Sequence, residues 1–434
     1  MLEANMDAIR TAAEKAKEAS YRLQNLPLEL RNEALREVIE QLQERKPEII
    51  SANQLDIKEA KSAGLSSPLL KRLSYDGPKI QESVQQLESL IAQEDPVGKV
   101  ISRTELDQGL MLERVSCPIG VIGVVFESRP DALVQISSLC IKSGNAVLLK
   151  GGSEAKNTNE ALARAIDQAI VKTDSRFKEV VQLLSTREEF RGLLALDGLV
   201  DLIIPRGSNE LVRSIQASTK IPVLGHAAGV CHTYVHKDAD VPMAVKVCFD
   251  AKCQYPAVCN AMETLLVHRD IAKTLLPKLA KQYQKAGVEL RGDSATSKII
   301  KVDKAAEKDW WTEYNDLILA IKVVGSLDEA IDHINKFGSH HTDAIVSSDP
   351  AAASRFMDLV DSSSVMWNCS TRFADGYRYG LGAEVGISTS KTHARGPVGL
   401  EGLTIYKYRL SGNGQIVADY VGKNARKFTH RKLK

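Results

Sequence analysis

The chain has 434 residues, of which 26% are charged, and its formal net charge at pH 7 is only +2. A chain of this length has room for two main domains with buried sheets, and its near-neutral charge gives no reason to expect nucleic acid or a membrane surface as a partner. The N-terminus opens on a polar helical pattern instead of a signal sequence, and no apolar run approaches the length of a bilayer span, which predicts a soluble cytoplasmic protein.

The first part of the chain has a helical pattern. Between residues 9 and 91 apolar residues recur every three or four positions, with glutamate and lysine between them. Glycine and proline at residues 64–68 and 77–78 divide this leader into several helices. From residue 97 the pattern changes to alternation, with a glycine-containing turn at residues 107–109, which predicts a projecting hairpin over residues 98–118.

Strands and helices then alternate in two blocks. An unbroken apolar run at residues 119–126 is typical of a strand buried on both faces of a parallel sheet, and further strands of this block are predicted at residues 145–150, 180–184 and 201–205. A second block begins near residue 230, with strands predicted at residues 231–235, 264–267, 318–324 and 343–346. Such alternation predicts βαβ units, and hence a doubly wound α/β fold with a second α/β domain. Residues 403–417 predict two strands about an Asn-Gly turn, which could pair with the early hairpin or with a partner subunit.

Two strands of the first block end in small-residue turns that open helices, KGGSE at residues 150–154 and PRGSNE at residues 205–210. The N-terminus of a helix offers free N–H groups and a positive dipole end to a phosphate, and Lys150 could neutralise a ribose phosphate beside the first turn. No GxGxxG follows the first strand, so ordinary glycine-tolerant turns are the alternative to a nucleotide site.

Seven cysteines are scattered along the chain. An odd number without any CxxC pair argues against a disulfide framework and against a metal site, and His232 and His236 are interpreted as structural histidines on one face of a strand. Cys259 differs in its surroundings, because Pro256 interrupts regular structure and small residues flank the run YPAVCN. An open position at a strand edge suits a thiolate that attacks an acyl group and later leaves it.

Several segments occur in a characteristic order: IGVIGVVFESRP, LLKGG, IPRGSN, IPVLGHAAG, YPAVCN, TEYNDLILAIKVV and MWNCSTRF, with VGSLDEAIDHINKFGSHHTDAI at residues 324–345 as the most specific. This order resembles the aldehyde dehydrogenase superfamily, and within it the branch that reduces L-glutamyl 5-phosphate. The resemblance spans nearly the whole chain and implies a fold of three parts. These are a Rossmann-like NADPH-binding domain with the N-terminal helices (residues 1–97 and 119–228), an α/β catalytic domain (229–390), and a small β oligomerisation arm (98–118 and 391–434).

The resemblance also implies which residues do the chemistry. The catalytic cysteine of the superfamily falls on Cys259, with Asn260 beside it as a further catalytic candidate. The loop position that donates a side-chain amide to the oxyanion falls on Ser128, a departure that leaves the serine or the backbone N–H of Cys259 as the donor. The residues implied for NADPH are Lys150, Gly151, Arg206, Gly207, Ser208 and Glu313.

A second departure concerns water. Members of the superfamily that make acids carry a glutamate in an ELGG segment, as the base that hydrolyses the thioester, whereas here the segment is VLGH and the position is Val223. A thioester on Cys259 would therefore persist until hydride arrives, provided that water is excluded. The resemblance implies NADPH-dependent reduction of L-glutamyl 5-phosphate to L-glutamate 5-semialdehyde, with release of phosphate, in proline biosynthesis.

A substrate with a carboxylate, an ammonium group and a phosphate requires arginine and a carboxylate in fixed geometry. The candidates in glycine-rich stretches near the end of the chain are Arg372, Glu384 and Arg395, and Arg129 could take the phosphate. For the three candidates near the end, a surface salt bridge is the alternative.

Two other functions stay open on the sequence. One is a dehydrogenase acting on another semialdehyde, against which Val223 argues. The other is a non-catalytic partner of glutamate 5-kinase, against which the intact set of cofactor residues and Cys259 argue. The hairpin and the C-terminal strands imply a homodimer or homotetramer, because isolated two-stranded ribbons are marginally stable in water. Any contact with glutamate 5-kinase is expected to be transient and between separate proteins.

Overall fold

In the computed structural model, which describes residues 2–226 and 228–433, the chain begins with helices, as its pattern predicts. They are α1 (Leu2–Leu23), α2 (Leu28–Glu44), α3 (Lys46–Ser62), α4 (Ser67–Leu73) and α5 (Gly77–Ile91). Start signals in the sequence fix their boundaries; for example, the side chain of Asp76 accepts a hydrogen bond from the backbone N–H of Lys79 where α5 begins. The predicted hairpin follows as β1 (Val100–Asp107) and β2 (Leu110–Pro118), joined at Gly109, whose φ of +73° favours glycine.

The first sheet is parallel and contains the predicted strands β3 (Val121–Phe126), β4 (Ala146–Gly151), β5 (Val181–Leu183) and β6 (Leu202–Arg206), in the order β5-β4-β3-β6. Its helices are α6 (Pro130–Ser143), α7 (Lys156–Thr173), α8 (Arg187–Leu193) and α9 (Asn209–Ser218). The strand order reverses between β3 and β6, and the crevice beyond the carboxyl ends of such a strand pair is where open α/β sheets bind ligands. The N-terminal helices pack on the same core through buried residues that include Leu35 and Leu42.

The second sheet is also parallel, in the order β10-β9-β11-β8-β7-β12-β13. Its strands are β7 (Cys231–Val235), β8 (Met262–His268), β9 (Glu289–Gly292), β10 (Asp303–Lys304), β11 (Ile318–Val324), β12 (Thr342–Val346) and β13 (Ser364–Trp367), and its helices are α10 (Val241–Cys253), α11 (Arg269–Lys285), α12 (Leu327–Phe337) and α13 (Pro350–Leu359). The four predicted strands are its central ones. The sequence pattern does not predict β9, β10 and β13. These are short strands toward the edges of the sheet, where fewer side chains are buried and the apolar pattern is therefore weaker.

After the second sheet the chain returns to the first core. This return contains the short antiparallel pair β14 (Ile387–Ser388) and β15 (Gly396–Pro397). Buried residues on both sides of the pair belong to the core of the first sheet, namely Ala383, Val385, Val398, Leu400 and Leu403. Residues 391–403, which the sequence assigned to the arm, therefore include part of that core.

The arm is a ribbon in which β16 (Thr404–Ser411) pairs antiparallel with β2 and β17 (Arg431–Leu433) pairs antiparallel with β1. The predicted strand after the Asn-Gly turn is wrong, because this segment is held by side chains instead of a strand ladder. Gln415 donates to the carbonyl of Gln108, and the hydroxyl of Tyr420 donates to Asp107 at 2.9 Å. Among the described residues, no helix is long and apolar enough to cross a membrane.

Candidate active site

Cys259 lies between the two sheets. It precedes β8 at the amino edge of the second sheet, while Arg129 and Arg206 follow or end β3 and β6 at the carboxyl edge of the first sheet. Gly229 fixes the position of the cysteine, because a Cβ at residue 229 would stand 2.2 Å from the carbonyl oxygen and 2.6 Å from the Cα of Cys259. The thiol of Cys231 donates to that same carbonyl at 3.1 Å. The backbone of the cysteine is thus held from two sides.

Two histidines flank the thiol. One ligand atom each from His226, Cys259 and His341 lie within 4.8 Å of one another. Burial alone would raise the pKa of the Cys259 thiol, but His341 and His226 outweigh burial and hold that pKa well below its usual value. Burial would lower the pKa of His226, but the charge of Cys259 and hydrogen bonds to Cys259 and the Ile387 carbonyl raise it to about 9. The pair therefore favours a thiolate next to an imidazolium.

Nδ1 of each imidazole ring has a hydrogen-bond partner. Nδ1 of His226 lies 2.8 Å from the carbonyl oxygen of Ile387, and since a carbonyl can only accept, this nitrogen carries the proton. Nδ1 of His341 lies 2.9 Å from Oγ1 of Thr342, and its Nε2 is buried without a hydrogen-bond partner in the described residues. Nε2 of each ring is therefore the nitrogen that is left for the Cys259 thiol.

Sequence reasoning missed both histidines. In the VLGH segment, the sequence drew attention to Val223, but this residue bridges Ile203 and packs against the first core. The side chain of this segment that lies beside Cys259 is His226, three residues later. His341 lies within the most specific segment of the resemblance, just before β12. The available signal was the single histidine of the VLGH segment and the three histidines of residues 324–345.

Charged side chains that are buried or half-buried lie around the cysteine. Arg206, Arg372 and Glu384 all lie near enough for the charge of Cys259 to influence them. Arg206 Nη2 is 3.9 Å from Oε1 of Glu384, and Arg372 Nε donates to Gln254 at 3.0 Å. Burial raises the pKa of Glu384 to about 7, in spite of Arg206 and a hydrogen bond from the backbone N–H of Gly376. Arg129 is close enough to Arg206 for their charges to interact.

Arg395 is not part of this group. Its guanidinium donates to Asp361 at 2.9 Å, on an exposed surface where Lys391 also binds Asp361 at 2.6 Å. The structure therefore places Arg395 in the surface ion pair that the sequence left open as the alternative. Arg395 and Arg372 both stand in glycine-rich stretches of the sequence, so this feature does not distinguish them.

The two residues proposed to assist Cys259 are engaged elsewhere. The backbone N–H and the hydroxyl of Ser128, whose φ is +45°, both donate to Oε1 of Glu154, at 2.6 and 2.7 Å. Asn260 Nδ2 donates to the carbonyl of Ala374 at 2.8 Å, and its Oδ1 is buried without a partner in the described residues. Asn260 thereby holds the segment that carries Arg372 beside Cys259.

The predicted cofactor residues gather at the first sheet. Ser208 caps α9, and its backbone N–H donates to Oε2 of Glu127 at 3.0 Å. A carboxylate oxygen already accepts from this helix N-terminus, so the turn fits an anionic group such as a cofactor phosphate. Asn209 Nδ2 donates to Oε2 of Glu313 at 2.8 Å, which brings Glu313 from the second half of the chain to this turn.

The other predicted cofactor turn, at residues 150–154, is also tightly packed. Lys150 is buried, and burial lowers its pKa. At Gly151 a Cβ would stand 2.1 Å from Nδ2 of Asn159 on α7, so a side chain at this position would displace that amide. The arrangement offers a cation and helix N–H groups at the crevice where the strand order reverses.

Comparison with known proteins gives consistent matches. The sequence profile of the aldehyde dehydrogenase family matches residues 1–308. Gamma-glutamyl phosphate reductase of Pelotomaculum thermopropionicum is 57% identical over 421 residues, or 97% of this chain and 96% of the relative. That of Acetivibrio thermocellus is 55% identical over 426 residues, 98% of each chain. The crystal structure of gamma-glutamyl phosphate reductase from Thermotoga maritima aligns with a TM-score of 0.91 at 41% identity, covering 94% of this chain and 99% of that one.

Proposed function

The chain belongs to the gamma-glutamyl phosphate reductases of the aldehyde dehydrogenase family, and on that premise we propose that it reduces L-glutamyl 5-phosphate to L-glutamate 5-semialdehyde with NADPH. The family makes it an oxidoreductase with a nicotinamide cofactor, acting at the glutamate 5-semialdehyde step of proline biosynthesis. One observation supports the detailed reaction above all: Cys259 lies between two imidazoles and beside the buried Arg372 and the half-buried Arg206 and Glu384.

In the proposed reaction, the thiolate of Cys259 attacks the acyl carbon of the substrate. The bond from that carbon to the phosphate oxygen breaks, inorganic phosphate leaves, and a thioester remains. His226 and His341 stabilise the thiolate before the attack and again when it leaves. The oxyanion accepts from the backbone N–H of Cys259 and from Ser128, once Ser128 exchanges Glu154 for the substrate. NADPH, held by the residues of the two turns, would supply a hydride to the acyl carbon. Collapse of the resulting oxyanion breaks the carbon–sulfur bond, which releases the aldehyde and restores the Cys259 thiolate.

The cofactor would be held at the two turns of the first sheet. A phosphate would take the place of the Glu127 carboxylate at the N-terminus of α9, and Lys150 would neutralise a ribose phosphate, which favours NADPH over NADH. Glu313 would bind ribose hydroxyls. The residues proposed for this role are Lys150, Gly151, Arg206, Gly207, Ser208 and Glu313.

The charges of the pocket match those of the substrate. Arg372 and Arg129 are proposed to bind the carboxylate and the phosphate as planar, multidentate donors. Glu384 is proposed to bind the ammonium group. Val223 has no titratable group with which to activate water, so the thioester is proposed to await hydride instead of hydrolysis.

The reverse reaction tests this function. With glutamate 5-semialdehyde and NADP+, the protein is expected to form NADPH only when inorganic phosphate is present, because phosphate must release the acyl group from Cys259. A dehydrogenase that makes an acid would form NADPH without phosphate. Phosphate-independent turnover with glutamate as product would therefore overturn the proposal.

Glu384 gives a pH-dependent prediction. Its pKa is about 7, so the ionised fraction that binds an ammonium group rises as pH rises through 7. Competitive inhibition by L-glutamine, whose own charges hardly change in this range, is expected to strengthen about tenfold between roughly pH 6 and pH 8. In Glu384→Gln the inhibition constant should not follow pH, whereas the exposed Glu401→Gln should behave as the parent. An unchanged pH dependence in Glu384→Gln would contradict the assignment.

The arm is proposed to join two copies of the chain. β16 is the outer strand of its sheet and exposes Ile405, Tyr406, Tyr408 and Leu410, and an exposed apolar edge strand pairs readily with another chain. Tyr408→Glu is expected to reduce the mass measured by light scattering to that of one chain. Tyr21→Glu, at an equally exposed tyrosine on α1, should leave the mass unchanged; equal masses for both variants would exclude this interface.

A further inference from the structure

The flanked cysteine has a second chemical capacity. A thiolate and two imidazoles are the donor set that borderline-soft divalent cations such as Zn²⁺ prefer, and three protein ligands leave one coordination position open. The donor atoms of His226, Cys259 and His341 already lie within 4.8 Å of one another. They come from three separate segments, so no spacing in the sequence could indicate such a site.

The surroundings of the two rings support coordination. Nδ1–H of His226 donates to the Ile387 carbonyl, the second-sphere contact that fixes metal-binding imidazoles and leaves Nε2 as the ligand. Nε2 of His341 belongs to a fully buried side chain and has no hydrogen-bond partner in the described residues. A buried nitrogen without a partner is costly, and a metal ion would satisfy it.

We propose that His226, Cys259 and His341 bind one Zn²⁺ per chain and that this ion reversibly blocks the nucleophile. Binding involves no redox step: the sulfur and the two Nε2 atoms each donate a lone pair, and any proton on them passes to solvent. Glu384 lies near enough to Arg206, and Glu313 near enough to His226, to offset part of the positive charge around the three ligands. The inhibitory effect rests on the proposed role of Cys259, whereas the binding itself does not.

Cobalt makes the site visible without an activity assay. Titration of the purified chain with Co²⁺ is expected to produce a thiolate-to-cobalt charge-transfer absorption that saturates at one ion per chain and disappears when Zn²⁺ is added. Cys259→Ser should lack this absorption, and Cys117→Ser, on the ribbon, should retain it. Loss of an outer contact alone typically weakens metal binding about 10–100-fold, so His341→Ala and His226→Gln should weaken it at least tenfold.

The parent protein offers a second measurement that needs no variant. Zn²⁺ should protect Cys259 from alkylation by iodoacetamide, located by peptide mass, and should abolish phosphate-dependent turnover until a chelator restores it. Absence of the cobalt absorption, or an equal absorption in Cys259→Ser, would overturn the metal site. If the absorption forms but no phosphate-dependent turnover exists, the metal site stands and the proposed function fails.

Discussion

Replacing Cys259 with alanine is expected to reduce phosphate-dependent oxidation of glutamate 5-semialdehyde by at least about 10⁴-fold, because removal of the proposed covalent nucleophile leaves only binding and electrostatic stabilisation. Neither the fold nor the cofactor turns should change, since the cysteine is only partly buried and belongs to none of the hydrophobic clusters found among the described residues. NADPH binding, followed by fluorescence titration, is therefore expected to match the parent. The loss of turnover, set against an unchanged affinity for NADPH, is the result that would assign the chemistry to Cys259.

A matched control separates this prediction from a general effect of losing a thiol. Cys117 lies on β2 of the ribbon and is half-buried, like Cys259. Cys117→Ala should retain turnover. Comparable turnover in Cys259→Ala and in the parent would show that another group forms the acyl intermediate, and lost NADPH binding would show that the variant had not folded normally.

Gly229→Ala is expected to have the second largest effect, although it changes no reacting atom. The new Cβ would stand 2.2 Å from the carbonyl oxygen of Cys259, a backbone atom that cannot rotate away. A displacement of about 1 Å at a catalytic group costs on the order of 10²-fold in rate, and overpacking of this kind costs about 1–3 kcal/mol in the free energy of unfolding. Steady-state turnover and urea unfolding measure the two effects.

Gly198→Ala is the control for this substitution. A Cβ at Gly198 meets no atom within 4 Å, so both its turnover and its unfolding should resemble those of the parent. If Gly229→Ala were as active as Gly198→Ala, the backbone of Cys259 would have to be more mobile than its contacts with Gly229 and Cys231 indicate.

The sheets could be predicted because their central strands are long, apolar and β-branched, as in Val121–Phe126 and Ile318–Val324. The positions of His226 and His341 could not, because nothing in local sequence brings them to Cys259. His341 approaches only because β12 lies beside β7, whose first residue Cys231 contacts the backbone of Cys259. Non-local pairing of this kind leaves no periodic signal in the chain.

Charged residues show a second limit of prediction from sequence, because their type does not tell whether they are buried. Arg372 and Arg395 both stand in glycine-rich stretches that do not distinguish them. Yet Arg372 is buried beside Cys259, whereas Arg395 pairs with Asp361 on the surface. β17 was missed for a related reason. Its three residues, Arg431–Leu433, are mostly charged and form a strand only because β1 offers a free edge.

The return of residues 383–403 to the first core has a consequence for the order in which the protein matures. A chain emerging from the ribosome can form β3, β4 and β6 early, but the core around them lacks Val385, Val398 and Leu403 until nearly all residues have been made. The same late segment delivers Glu384 to Arg206. Nascent or prematurely terminated chains thus have neither a closed first core nor a complete pocket, and they lack the Ile387 carbonyl that orients the ring of His226 beside Cys259.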